Sequence, residues 1–343
     1  MQQSFSASSP HKRMWDSGYL SIICTHLLWG MLPLYFVYTA PASAYEVVAA
    51  RILFSVAVCS VVLSVLRGGW RDFWVIVRQR QLLAVLCAAS LLIGCNWLLY
   101  VFATTSGHTL DASLGYFMNP LLSVLLGVIF LGERLRPLQW TAVGLAATAV
   151  LVMSVLYGHV PWIGLGLATS FGLYGLVKNK VGGRVTPLQS FTVESAALVP
   201  LAVVCMVLFA QAGSLTLFSH GVGHFLALAA SGVITAVPLL LFADAASKLP
   251  LSIVGMVQYV SPTIQFLVAL LIFKETLVPI QLFGFIAVWV ACFLFTFDAV
   301  RASRVSRRAQ RHTSYSSESA EFAATGSLGI VTKSILRNIG NKI

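Results

Sequence analysis

PLLSVLLGVIFLGERLRPLQ, residues 120–139, returns at residues 262–281 as PTIQFLVALLIFKETLVPIQ. Pro120, Glu133, Pro137 and Gln139 each stand 142 positions before Pro262, Glu275, Pro279 and Gln281. Leu125 and Leu135 match Leu267 and Leu277 at the same offset, which says less in a leucine-rich chain. The proline and polar matches make the protein two copies of one unit.

The medium in which those copies fold is set by composition. The 343 residues are 58% hydrophobic and 10% charged, with a mean hydropathy of +0.87. A soluble domain carries about 25% charged residues, so this is the composition of an all-α integral membrane protein. Met1–Met14 is Ser-rich and shows no signal-peptide pattern. Cys24, Cys59, Cys87, Cys95, Cys205 and Cys292 all fall in apolar stretches without CxxC or metal-ligand spacing. They are read as small buried packing residues.

A bilayer-spanning helix needs about 20 mostly apolar residues. Ten segments qualify: 18–38, 45–66, 82–103, 112–132, 139–157, 161–177, 189–211, 224–243, 251–273 and 280–299. With the N-terminus in the cytoplasm, twenty of the 22 Lys and Arg fall on the cytoplasmic side, as the positive-inside rule requires. Lys178, Lys180 and Arg184 are counted there as one loop. Lys274 is the only basic residue in an outside loop and Arg51 the only one within a span. The net charge of +11 is therefore topology and not a nucleic-acid footprint.

This count gives the 142-residue offset its meaning. It advances the chain by five spans, an odd number, so the second copy is upside down. The expected fold is ten transmembrane helices arranged as two inverted-topology five-helix repeats, 18–157 and 158–299. Residues 1–17 are expected to form a disordered cytoplasmic tail, and 300–343 a basic cytoplasmic tail. Transporters commonly share this architecture, with substrate near the midplane where the halves meet.

Several strings resemble a known family. Trp29-Gly30 with Pro33 and Tyr35 opens the first span. Asn96-Trp97, Ser113-Leu114-Gly115-Tyr116-Phe117, Asn119-Pro120, Gly132-Glu133-Arg134-Leu135 and Gln139-Trp140 complete the first half. The second half carries Pro161-Trp162, Ser170-Phe171-Gly172-Leu173-Tyr174-Gly175, Pro238-Leu239, Phe242-Ala243, Gly255, Gln258-Tyr259 and Ser261-Pro262. Together they resemble the RarD branch of the EamA-type drug/metabolite transporters, often labelled chloramphenicol-sensitivity proteins. The resemblance covers about residues 18–299. It implies ten helices in two inverted repeats, both termini cytoplasmic, in the cell's inner membrane. It also implies permease activity on small organic molecules.

A charge within a span costs about 2.5–3.5 kcal/mol on insertion scales, so each one needs a reason. Glu46, at the outer end of span 2, is read as snorkelling to the headgroups. Arg51 lies five residues deeper, roughly 140° around the helix from Glu46, which argues against a local pair. A substrate or gating role for Arg51 stands beside a structural tie to backbone carbonyls. Glu194 in span 7 carries substrate or proton coupling, or serves as interhelical glue.

Tyr116 and Asn119 share a face of span 4, and Gly255, Gln258, Tyr259 and Pro262 a face of span 9. Pro120 and Pro262 lie near the middles of their spans, where a proline frees a carbonyl. Asn96 and Tyr100 add polar groups from span 3, and Trp29 an aromatic wall. The alternative for each is helix packing; packing is favoured for Tyr35 and Tyr174. His26 either titrates near neutral pH or is packed. Glu133 and Glu275 are read as helix-boundary residues that accept from the first amides of the following helix.

In the C-terminal tail, Arg301, Arg304, Arg307, Arg308 and Arg311 form a cluster attractive to anionic headgroups. Leu328, Val331, Ile335, Ile339 and Ile343 follow at helical spacing, so an amphipathic surface helix stands beside disorder. The leading functional expectation is a permease for small organic solutes working by alternating access, as monomer or homodimer in contact with membrane lipids. It has no cofactor, no metal and no phosphate-binding loop for ATP coupling. A channel-like facilitator, or a membrane sensor signalling through its C-terminal tail, is the alternative. An enzyme is disfavoured because no HExxH, GxSxG or paired aspartates occur.

Overall fold

The computed structural model describes residues 10–105, 109–156, 162–274, 282–284, 286–287, 289–298 and 301. Among these residues every regular element is a helix. The first three are α1 (Pro10–Gly30), α2 (Leu32–Phe36) and α3 (Ala44–Val65). Then come α4 (Gly69–Arg78), α5 (Arg80–Thr105), α6 (Thr109–Leu131) and α7 (Pro137–Leu156). The series continues with α8 (Trp162–Val181), α9 (Pro187–Gln211), α10 (Gly221–Lys248), α11 (Leu251–Val257) and α12 (Val260–Leu271). The chain divides into a body, residues 1–292, and a short C-terminal unit, residues 293–343.

Six helices are long and apolar enough to cross a bilayer, or seven if α1 and α2, bent by 41° at their junction, form one span. Described helix covers most of nine of the expected spans, while 280–299 is described only in part. α8 is not among the six; glycines and two lysines dilute its apolar run. Leu20, Val61, Leu91, Leu151, Val155 and Leu208 are exposed on the outer faces of the helices. That much outward apolar surface belongs against lipid. It also explains the cysteines, expected to be buried. Cys59 is, whereas Cys95 is exposed and the other four are half-buried, because a thiol on a lipid-facing surface need not be covered.

Local chemistry sets the ends. α9 starts on a reciprocal capping box: Gln189 N–H donates to Thr186 Oγ1 at 3.3 Å, and Thr186 N–H to Gln189 Oε1 at 3.1 Å. Pro187 fills the first helical position. Helix α1 begins at Pro10, so residues 10–17, expected to be disordered, are helical; a proline's fixed φ suits a first turn. Residues 67–81, expected to be a loop, contain α4. Its Phe73 and Ile76 are buried, while Trp70 and Trp74 stay exposed.

Three charged residues differ from their expected placement. Lys178, counted as a loop cation, is 1% exposed and ion-paired because α8 runs on to Val181. Glu46 is fully buried instead of snorkelling. Its Oε1 accepts from Thr216 N–H and Leu217 N–H, each at 2.8 Å, and its Oε2 from Thr216 Oγ1 at 3.0 Å. The carboxylate thus satisfies loop amides that lipid could not. Glu133 caps a helix remote in sequence, as described below.

Two positions 142 residues apart share a backbone conformation. Gly132 ends span 4 with φ 67°, and Lys274, its mate 142 residues on, has φ 53°. Glycine adopts that left-handed form freely; lysine is strained in it. Glu275, Pro279 and Gln281 lie outside the described residues, as do the far N-terminal tail and the C-terminal arginine cluster beyond Arg301. Lys274→Gly should stabilise the protein by about 0.5–1 kcal/mol, read as a higher unfolding midpoint in detergent. Lys274→Val should lower that midpoint.

Candidate functional site

Where α11 gives way to α12, the chain packs against α6. A Cβ on Gly255 would stand 2.8 Å from Pro120 O and 2.9 Å from Ser123 Cβ, so only glycine permits this approach. Tyr259 OH donates to Phe117 O at 2.9 Å, across the 142-residue offset. The carbonyl that Pro120 leaves without its helical donor is that of Tyr116; Tyr259 bonds the adjacent carbonyl in the same turn. Glu133 closes the seam at one end. Its carboxylate accepts from Leu251 N–H and, at 2.9 Å, from Ser252 N–H. These are the first amides of α11, not of the helix that follows Glu133. Unpaired donors and a positive helix end draw the carboxylate there.

The two prolines play unlike parts. Pro120 sits inside a continuous α6, whereas Pro262 lies in the first turn of α12. There its missing N–H costs little. Gln258 O, which a residue at position 262 would normally bond, instead accepts from Ser261 N–H at 3.2 Å. The expectation of two mid-helix prolines is thus corrected for Pro262: the helix breaks just before it.

Polar side chains collect at this break without satisfying one another. Gln258 is 5% exposed, and its Nε2 and Oε1 have no hydrogen-bond partner. Asn119 Oδ1, next to Pro120, and His26 Nε2 on α1 are also buried and unpaired. The His26 tautomer follows from its neighbours. Ser261 Oγ donates to His26 O at 3.0 Å, so it accepts from His26 Nδ1–H at 2.8 Å. Nε2 is then a bare acceptor. Leaving each such group unmet costs about 1–3 kcal/mol, and a cluster of them calls for an occupant.

Arg51 lies in a second part of the same interior. Its Nε donates to Thr235 Oγ1 at 2.8 Å on α10. Its guanidinium lies 4.8 Å from the centre of the Trp97 ring on α5. Tyr35, Tyr100 and Tyr116 are close enough to feel its charge. The rings of Tyr100 and Tyr116 meet edge-on, 5.9 Å apart. Arg51 forms no ion pair with a carboxylate among the described residues. Tyr116 keeps 39% of its surface accessible while its ring meets Tyr100. One turn further along α6 comes Asn119, which joins the aromatic box to the unmet polar groups.

Other expected site residues are spent elsewhere. Asn96 Nδ2 donates to Leu167 O at 2.9 Å and Ser170 Oγ at 3.0 Å, tying α5 to α8. Trp29 packs against Phe171 and Phe242, with ring centres at 5.6 and 5.8 Å. Tyr259, Pro120 and Pro262 shape the seam. Tyr35 OH donates to Ala227 O at 2.8 Å. Glu194 belongs to a separate group with Lys178, Ser190 and Tyr174. Sequence reading missed Trp97, Thr235 and Ser261 as site residues. Trp97 and Tyr100 stand three apart, which signals a shared face, but no local pattern marks Thr235.

Known proteins share this architecture. A model of the EamA-like transporter family matches residues 16–155. "Protein RarD" of Streptomyces exfoliatus is 43% identical over 280 residues, covering 82% of this chain and 88% of its own. An "uncharacterized transporter" of Vibrio cholerae is 36% identical over 300 residues, covering 88% and 98%. A solved crystal structure superposes with a TM-score of 0.63 at 18% identity, covering 82% of this chain and 98% of its own, a likeness of fold.

Removing the α11 cap should loosen the seam. Glu133→Ala is expected to cost about 2 kcal/mol, the scale of a hydrogen bond to a charged group, measured by denaturant titration in detergent. Glu133→Gln should fall between the alanine variant and wild type.

Proposed function

Since the chain belongs to the EamA-like transporter family, as a multi-pass membrane transporter of the RarD type, we propose that it carries small organic anions through the inner membrane by alternating access. Arg51 is the observation that carries this reading. A cation in a membrane interior costs several kcal/mol unless something compensates it. Here Arg51 has a neutral hydroxyl and aromatic faces for partners. A substrate carboxylate or phosphate supplies the missing charge, with two parallel hydrogen bonds from the guanidinium fork. Trp97, Tyr100 and Tyr116 then hold an apolar or aromatic body. Asn119, Gln258 and His26 receive a polar group at the far end, where three acceptors favour hydrogen-bond donors on the solute.

Alternation comes from ten spans in two inverted halves, 18–157 and 158–299. Two features support this. Phe117 and Tyr259 are repeat mates and touch each other. In a two-fold arrangement a residue meets its own mate only at the axis, so the axis runs through the seam. Gly132 and Lys274 end their spans in the same left-handed form. Exchanging the conformations of two such halves exposes the site first to one side and then to the other, with both termini in the cytoplasm.

Purified protein in liposomes should take up labelled aromatic carboxylates with saturable kinetics and counterflow. Flux that never saturates and shows no counterflow would assign a channel. Arg51→Gln should cut uptake at least tenfold while the protein still elutes as a folded species. Arg51→Lys, which keeps the charge but loses the fork, should recover part of it. Uptake unchanged in both variants removes Arg51 from the site.

A further inference from the structure

Away from Arg51, the body holds a second group of ionisable side chains. Lys178 on α8 and Glu194 on α9 are each 1% exposed and form an ion pair. Lys178 Nζ also donates to Ser190 Oγ. Ser190 Oγ donates in turn to Glu194 Oε1 at 2.8 Å, and Tyr174 OH donates to Oε2 at 3.1 Å. On α5, Ser90 Oγ holds the Glu194 backbone carbonyl at 2.7 Å. Every group bonded to this carboxylate is a donor. With an ammonium and two hydroxyls gathered on it, the carboxyl is arranged as a carboxylate accepting from three donors.

Access distinguishes this pair from a sealed structural one. A small crevice of about 10 Å³, roughly the room one water needs, adjoins the pair; Lys178 and Ser190, which both bond Glu194, line it with Gly182, Thr186, Ala243 and Ser247 among others. The crevice opens where α8 ends and α9 begins, beside Arg184. The remaining neighbours do not compete. Asp244 on α10 is held by Lys248 at 2.6 Å and by Ser21 Oγ at 2.7 Å. Phe242 of the same helix stacks on Tyr174 with ring centres 6.0 Å apart. From α3, buried Cys59 lies toward Thr192 and not toward the carboxylate. Tyr174 and Lys178 are then the titratable groups that face Glu194.

We propose that Glu194 is a proton-binding site, loaded from water in this crevice. A hydronium ion there passes its proton to a Glu194 carboxyl oxygen and leaves as water, so the site with Lys178 goes from neutral to a net positive charge. The neutral acid then presents a donor of its own to Lys178, Ser190 and Tyr174. Loss of the negative charge weakens the bonds it accepts from Lys178, Ser190 and Tyr174, and α8 and α9 loosen where they meet. The proton thereby biases the packing of two helices, which is what a coupling ion does in a carrier. The coupling role rests on the carrier reading above. Proton binding itself is measurable without substrate, so its failure would leave that reading untouched.

The test is infrared difference spectroscopy of the purified full-length protein, acid minus neutral, with hydrogen exchange across residues 174–194 at both pH values. Wild type should gain the carbonyl band of a buried carboxylic acid on acidification, with faster exchange in this segment. Glu194→Gln should lose the band and exchange fast at both pH values. Lys178→Met, lacking the cation that holds the proton off, should show the band already at neutral pH. Should either variant elute unfolded, Tyr174→Phe removes one donor without touching charge and should move the band's midpoint upward in pH. A band that survives in Glu194→Gln, or a Tyr174→Phe midpoint equal to wild type, overturns the assignment.

Discussion

The contact on which the rest of the structure depends is the seam between α6 and the broken α11–α12 helix. Hydrocarbon offers no hydrogen bonds, so a helix may break in a membrane only where protein answers the freed groups. Here the answer comes from the other half of the chain. Glu133 takes the first amides of α11, and Tyr259 takes the Phe117 carbonyl below Pro120. Gly255 lets the backbones approach closely enough for both. Each half thus completes the irregular part of the other, and the interface between them is satisfied at its edges and unsatisfied at its centre. The centre is where Asn119, Gln258 and His26 wait.

The interior charges sort by the same logic. Glu46 is buried and Glu133 half-buried, yet each carboxylate takes two amide donors, so they act as caps. Lys178 and Glu194 answer one another with Ser190 and Tyr174 as auxiliaries. Arg51 differs from these in having neither an opposite charge nor backbone partners among the described residues, only a threonine and aromatic faces. Electrostatics therefore divides scaffold from site more sharply than burial does, since Glu46 and Glu194 are more buried than Arg51.

Much of the plan was legible in the residues. Apolar run lengths located the spans because a bilayer fixes how long a crossing must be. The proline and glutamate offset exposed the duplication, and Arg51 stood out as a charge where charge is costly. Less local features were hidden. Residues 69–78 were passed over as a loop because one short amphipathic turn carries little apolar signal, although Trp70, Phe73 and Trp74 lie at helical spacing. Lys178 was assigned to a loop because a lysine at the end of an apolar run ordinarily marks the membrane edge; its ion pair lies sixteen residues away.

The sequence by itself determined that this is a helical membrane protein, since hydropathy and charge placement are properties of order along the chain. Tertiary structure alone decided which polar residues are spent and which are free. Asn96 and Asn119 look alike in sequence, each an asparagine within an apolar span. One has both amide donors committed to α8, and the other ends in an unpaired oxygen beside a helix break. That difference depends on what a neighbouring helix, distant in sequence, offers in return, and no local pattern encodes it.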